Sequence, residues 1–195
     1  MTTEIILPLL AATVQSGTPI LYATLGEIVT EKSGILNLGV EGMMLVGALS
    51  AFWVSQTTGN PWLGFLAGGA LAALFSMVHA IVCLVFQGNQ VVSGLALTIL
   101  GTGIANFLGT PLIGSKAPGF FQAAIPGLSA VPVLGPVLFS QDMLVYISFL
   151  LPIAIWIFLR YTRWGLALRA AGEHPRAVNA AGLSILFYRG MGIVL

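Results

Sequence analysis

The chain is organised as a series of apolar runs long enough to cross a bilayer, and this pattern restricts its possible folds more than any other feature. Ile5 to Gly26 carries no charged side chain, and a membrane-spanning helix needs about 20 such residues. Further runs follow at Ile35–Ser55, Pro61–Phe86, Val91–Ile113 and Met143–Leu159. Hydrocarbon offers backbone groups no water to bond, so runs of this length predict helices. The expected fold is all-α, a polytopic transmembrane helical bundle with about five complete spans. A sixth run opens at Phe187 and stops at Leu195. This predicts a truncated sixth span, with residues 1–195 forming a single transmembrane domain incomplete at its C-terminus.

Composition excludes the soluble classes. Charged residues make up 7%, hydrophobic residues 57%, and mean hydropathy is +1.00, whereas soluble domains are about 25% charged. A net charge of +1 with no basic aromatic surface gives no reason to expect nucleic acid. The single cysteine, Cys83, lies in an apolar run and is expected to pack there. Met1–Pro8 has no Lys or Arg ahead of its apolar stretch, so the first span is expected to be retained.

Polar residues inside the runs are the candidates for function. Thr18 and Pro19 interrupt the first run, and Glu27–Gly34 is expected to be a turn at a membrane face. In the second run Asn37 is placed to cap a helix that starts inside the membrane, with Glu41 just past its first turn. An acid at that depth serves either this local role or a water-filled path. Gly39, Gly42 and Gly47 have the spacing of close helix contacts. Gln56–Asn60 reads as a polar gap. His79 is expected to be a hydrogen-bonded packing residue, since no second ligand stands at metal spacing. Gln87–Gln90 reads as a turn. Asn89, Gln90 and Asn106 are suited to a polar solute, to interhelical hydrogen bonds or to a loop turn. Gly114–Gln141, rich in Gly and Pro, is expected to be re-entrant or interfacial. Asp142 then opens a span that Pro152 is expected to kink.

Local charge concentrates between Arg160 and Arg189, with Arg163, Arg169, Glu173 and Arg176 between them. Gly172 can end one helix, Pro175 suits the first turn of the next, and Gly182 can end that one. The segment Pro175–Ala181 is too short to be stable alone and needs a surface to lie against; the alternative is an ordinary charged loop between spans, since arginine-rich cytoplasmic loops are routine. Placing the arginines in the cytoplasm and counting spans backwards puts the N-terminus outside.

The residue order carries a family resemblance. TRWGLALRAAGEHPRAVNAAGLSI (Thr162–Ile185) resembles the cytoplasmic coupling loop of permease subunits of ABC importers for simple sugars, nucleosides and branched-chain amino acids. Ala23–Ala48, Gly88–Leu97 and Val133–Tyr146 are similar to further blocks of these permeases, with NLGVEGMM and NQVVSGLAL leaning toward the nucleoside branch. The sequence departs from the family at His174, where Asn commonly precedes the proline, and at Thr98, where a span asparagine is frequent. The resemblance implies a multi-pass permease in a prokaryotic inner or plasma membrane, with residues 163–186 as its coupling loop and a helix that docks on a cytoplasmic ATPase.

Gly172, Glu173, His174, Pro175, Arg176, Ala177 and Gly182 are the implied ATPase interface. Asn37, Glu41, Asn89, Gln90, Thr98 and Asn106 are the implied substrate path. The implied partners are the ATPase, a second identical or homologous permease, an extracytoplasmic binding protein or lipoprotein, and membrane lipid. No cofactor, metal or catalytic residue is implied, and the chain lacks the GxxxxGK[ST] loop needed to bind ATP.

A branched-chain amino acid permease would share the coupling helix. A proton-coupled secondary transporter would also carry an intramembrane acid such as Glu41 but would not need the Gly172–Gly182 segment. An intramembrane hydrolase would need a third group to orient Ser76 and His79, and none is evident.

Overall fold

The computed structural model describes residues 2–195 and is all-α in its regular structure. The chain divides into two compact units, Met1–Leu25 with Phe120–Trp156, and Gly26–Gly119 with Ile157–Leu195.

Helix α1 covers Thr2–Lys32 and carries Pro8 and Pro19 within it. The expected turn over Glu27–Gly34 is therefore mostly the last turns of this helix, and the reversal is confined to Ser33 and Gly34, the latter at φ +87°. A helix interior admits proline when nearby groups take up the backbone polar atoms it frees. Pro19 deprives Gln15 O of its helical donor, and the Thr18 hydroxyl donates one residue away, to the Val14 carbonyl at 3.0 Å. Local charge at Glu27, Glu31 and Lys32 marked a membrane face, yet these side chains are compatible with continued helix.

Within the first unit, the irregular segment expected between Gly114 and Gln141 contains one short helix, α5 (Leu134–Leu138). The following helix, α6 (Met143–Tyr161), contains Pro152. Asp142 opens α6 as expected: its Oδ1 accepts from Val145 N at 3.0 Å. Gln141 is nearly fully buried, and its Nε2 donates to Val137 O at 2.7 Å and to Ala11 O at 3.3 Å. Tyr22 donates to Leu144 O at 2.9 Å.

The second unit is built around α2 (Val40–Thr58), flanked by α3 (Pro61–Ala80) and α4 (Gln90–Gly109). The expected polar gap at Gln56–Asn60 narrows to Gly59, at φ +69°, and Asn60, whose Oδ1 accepts from Trp62 N at 2.9 Å and so caps α3. A π-helical turn at Ile81–Val85 extends α3, and a 3-10 turn at Thr110–Leu112 extends α4.

Small residues set the separation of these helices. A Cβ on Gly101 of α4 would lie 2.6 Å from Gly42 Cα, and one on Gly68 of α3 would lie 2.8 Å from Gly47 O. The close-contact reading of Gly42 and Gly47 thus holds, with one glycine facing each neighbour.

The unit is completed by α7 (Arg163–Glu173), α8 (Pro175–Ala180) and α9 (Ile185–Val194). The last apolar run therefore begins earlier than Phe187, at a helix capped by Ser184.

Among the described residues, four helices are long and apolar enough to cross a membrane: Ile5–Lys32, Pro61–Val85, Gln90–Leu112 and Met143–Tyr161. Helix α2, with Glu41 near its start and Gln56 near its end, falls outside that set.

Candidate functional site

Between Gly34 and α2 the chain does not coil, and the backbone groups of this short stretch are bonded by side chains from three helices. Leu36 N donates to Gln90 Oε1 at 2.8 Å, and Asn37 N donates to Glu27 Oε1 at 3.0 Å. Leu38 O accepts from the Thr98 hydroxyl at 2.9 Å. Asn37 Oδ1 accepts from Gly39 N at 3.0 Å, closing a local turn just ahead of α2. Segment 35–39 is thus strapped to α1 through Glu27 and to α4 through Gln90 and Thr98. Unpaired backbone polar groups are costly in an apolar surrounding, so the strap is what allows the chain to stay uncoiled there.

The third attachment is His79 of α3, which has no exposed surface. Its Nε2 lies 3.1 Å from Leu36 O and its Nδ1 lies 3.0 Å from Ser93 Oγ. A carbonyl can only accept, which places the ring proton on Nε2. The Nδ1 lone pair then accepts from the Ser93 hydroxyl. The expectation of a hydrogen-bonded packing histidine is met, and Cys83 packs beside it, Sγ 3.5 Å from Nε2. Among the described residues no group of His, Cys, Asp and Glu could hold a metal ion.

The expected path residues separate into two sets. Asn37, Gln90 and Thr98 meet at the strap. Asn89 instead caps α4, accepting from Val92 N at 3.1 Å. Glu41 is exposed on the first turn of α2, and Asn106 is exposed on α4. Asn37 does not cap α2 as expected: its Oδ1 accepts from Gly39 N in a local turn ahead of the helix, and Gly39 occupies the cap position without a side-chain cap bond.

Sequence reasoning missed Glu27, having assigned it to a surface turn. Its Oε1 serves the strap, and its Oε2 is buried with no hydrogen-bond partner among the described residues. Periodicity did not single it out: the buried apolar residues beside it, Leu25 and Val29, lie on the opposite side of α1.

The second candidate region is the α7–α8 turn. Thr162 caps α7, accepting from Gly165 N at 3.0 Å. Gly172 does not end α7; it lies inside the helix because the backbone passes close to the end of α1, where a Cβ on Gly172 would fall 2.9 Å from Gly34 N. The helix ends at His174, which also occupies the cap position of α8 without a side-chain cap bond.

Pro175 opens α8 as expected. Gly182, at φ +73°, ends it: Leu183 N donates to Val178 O and Gly182 N to Asn179 O, both at 3.0 Å, a Schellman closure. Val178 is buried and anchors α8, while Glu173, His174, Arg176 and Ala177 are exposed and, with Pro175, line a shallow depression.

The long apolar helices define a multi-pass membrane protein. The chain belongs to the family of branched-chain amino acid transport system permease components, whose model matches residues 9–195. It is 40% identical over 191 residues to the "Putative glucose ABC transporter permease protein TsgC13" of Haloferax volcanii, covering 96% of this chain and 58% of that one. It is 34% identical to the guanosine ABC transporter permease protein NupQ of Bacillus subtilis, covering 98% of this chain and 64% of that one. It is 33% identical to the nucleoside ABC transporter permease protein NupC of Lactococcus lactis, covering 91% and 60%. A second Bacillus subtilis guanosine permease protein, NupP, matches at 22% identity. The chain spans 58–64% of the length of the first three relatives. No solved structure matches it.

Proposed function

We propose that this chain is the membrane-spanning part of an ABC importer permease subunit for nucleosides or a simple sugar. The observation that carries the reading is similarity along nearly the whole chain to permease proteins named for glucose, guanosine and nucleosides. Those names favour a nucleoside or sugar over a branched-chain amino acid. In this reading α2 is a fifth span, and residues 163–186 form a cytoplasmic coupling loop whose helix α8 docks on a separate ATPase. An extracytoplasmic binding protein or lipoprotein delivers solute. The match to both NupQ and NupP supports a homologous second permease as the partner.

The sidedness follows from the arginines of the α7–α8 region and puts the N-terminus outside. Two contacts within the second unit support the alternation of spans: the end of α1 at Gly34 approaches Gly172, whereas the other end of α2, at Ser55, bonds Pro118 O at 2.8 Å. ATP binding would close the ATPases and move α8 as a lever. The exposed Glu173–Ala177 surface is suited to docking, and the strap is the candidate gate of the path.

The test is ATP-dependent uptake by the full-length permease with its ATPase and binding protein, using purine and pyrimidine nucleosides, pentoses, glucose and branched-chain amino acids. Nucleoside or sugar uptake that stops without ATP is the expected result. Uptake driven by a proton gradient without ATP would refute the reading. In the same preparation Pro175→Leu is expected to reduce co-purification of the ATPase while leaving membrane insertion intact.

A further inference from the structure

Proline at the start of α8 creates a local deficit. In a continuing helix Ala171 O would accept from the backbone N–H of residue 175, but Pro175 has none. The missing donor comes from elsewhere in the chain: Arg189 of α9 donates to Ala171 O from Nε at 3.2 Å and from Nη2 at 3.0 Å. A cation at the carbonyl end of α7 is also favoured by the helix dipole.

The same point touches the start of the strap. A Cβ on Gly34 would lie 2.8 Å from Gly172 Cα and 3.3 Å from Arg189 Nη2, so the end of α7 and the guanidinium both border Gly34 and leave no room for a side chain there. Gly34 is the left-handed residue that begins the strapped segment, and the next residues are fixed to α1, α3 and α4 by Glu27, His79, Gln90 and Thr98.

We propose that Arg189 is a positioning residue that, with the Gly172–Gly34 contact, fastens the α7–α8 turn to the strap so that movement of one displaces the other. This rests on the coupling role given to α8 above. The guanidinium has two tasks in one place. It closes the carbonyl that Pro175 leaves open, and it holds α7 against the residue from which the strap departs. Both faces of the joint are backbone, so motion passes through it with little side-chain slack. A lysine, with a single ammonium, cannot reproduce the two-donor geometry.

The experiment uses the full-length transporter with its ATPase and binding protein in proteoliposomes, measuring ATPase retention, ATP hydrolysis and solute uptake. Arg189→Gln is expected to keep the ATPase bound and hydrolysing while uptake per ATP falls at least about tenfold, the scale of losing a charge-assisted hydrogen bond.

Wild-type uptake per ATP in Arg189→Gln would overturn the proposal. If Arg189→Gln does not accumulate in the membrane, Arg189→Lys carries the same criterion: reduced uptake per ATP is expected, and wild-type coupling overturns the proposal. Loss of ATPase binding by the unmodified permease would instead refute the coupling role of α8.

Discussion

Replacing His79 with leucine removes both bonds made by a fully buried ring while keeping a side chain of apolar character. Leu36 O loses the Nε2–H donor and the Ser93 hydroxyl loses the Nδ1 acceptor. Each orphaned buried group costs about 1–3 kcal/mol, so the pair costs about 2–6 kcal/mol. His79→Gln places an amide N–H near the position of Nε2 and keeps the bond to Leu36 O, which restricts the loss to the Ser93 side, about 1–3 kcal/mol. The assay is thermal unfolding of the purified full-length permease in detergent, followed by cysteine accessibility at Cys83, which packs against the ring. Leucine is expected to lower the midpoint clearly more than glutamine and to expose Cys83 at lower temperature. Equal midpoints for wild type and His79→Leu, or an equal loss in both variants, would refute the claim that the ring secures the strap.

The strap makes a second prediction at its other end. Glu27→Ala leaves Asn37 N unpaired and is expected to destabilise by about 1–3 kcal/mol in the same melt, whereas Glu41→Gln on the exposed first turn of α2 is expected to leave the midpoint unchanged. The helix contact gives a third. A Cβ on Gly101 would sit 2.6 Å from Gly42 Cα, about 1 Å short of a comfortable carbon contact of about 3.5 Å. Gly101→Val is accordingly expected to cost about 1–3 kcal/mol by overpacking, while Gly103→Val, with open space around it, is expected to change the midpoint little.

Much of the local structure was legible because its causes are local. Pro175 at the first helical position and Gly182 at a left-handed helix end follow from rules acting over a few residues, and the caps made by Asn60 and Asn89, which the sequence reading passed over, obey rules of the same range. The length of the apolar runs fixed the all-helical class for a similar reason: hydrocarbon leaves the backbone few alternatives. Charge was a less reliable guide. Glu27, Glu31 and Lys32 suggested a turn, but helix α1 continues through them because nothing in their backbone requirements stops it. Gly172 likewise had the composition of a helix end, and its actual role is set by a neighbour distant in sequence.

The sequence by itself determined that this chain is a multi-pass helical membrane protein, where most of its helices begin and end, and, through residue order, the permease family to which it belongs. Only the tertiary structure decided which polar side chains act together. Glu27, His79, Gln90 and Thr98 come from three separate helices and converge on the uncoiled backbone of residues 36–38, and Arg189 replaces a donor that Pro175 lacks. The physical reason is that these partners answer backbone deficits created elsewhere in the chain. A periodic pattern records which face of a helix is apolar, but it holds no record of which distant carbonyl or N–H is left open until the helices are packed.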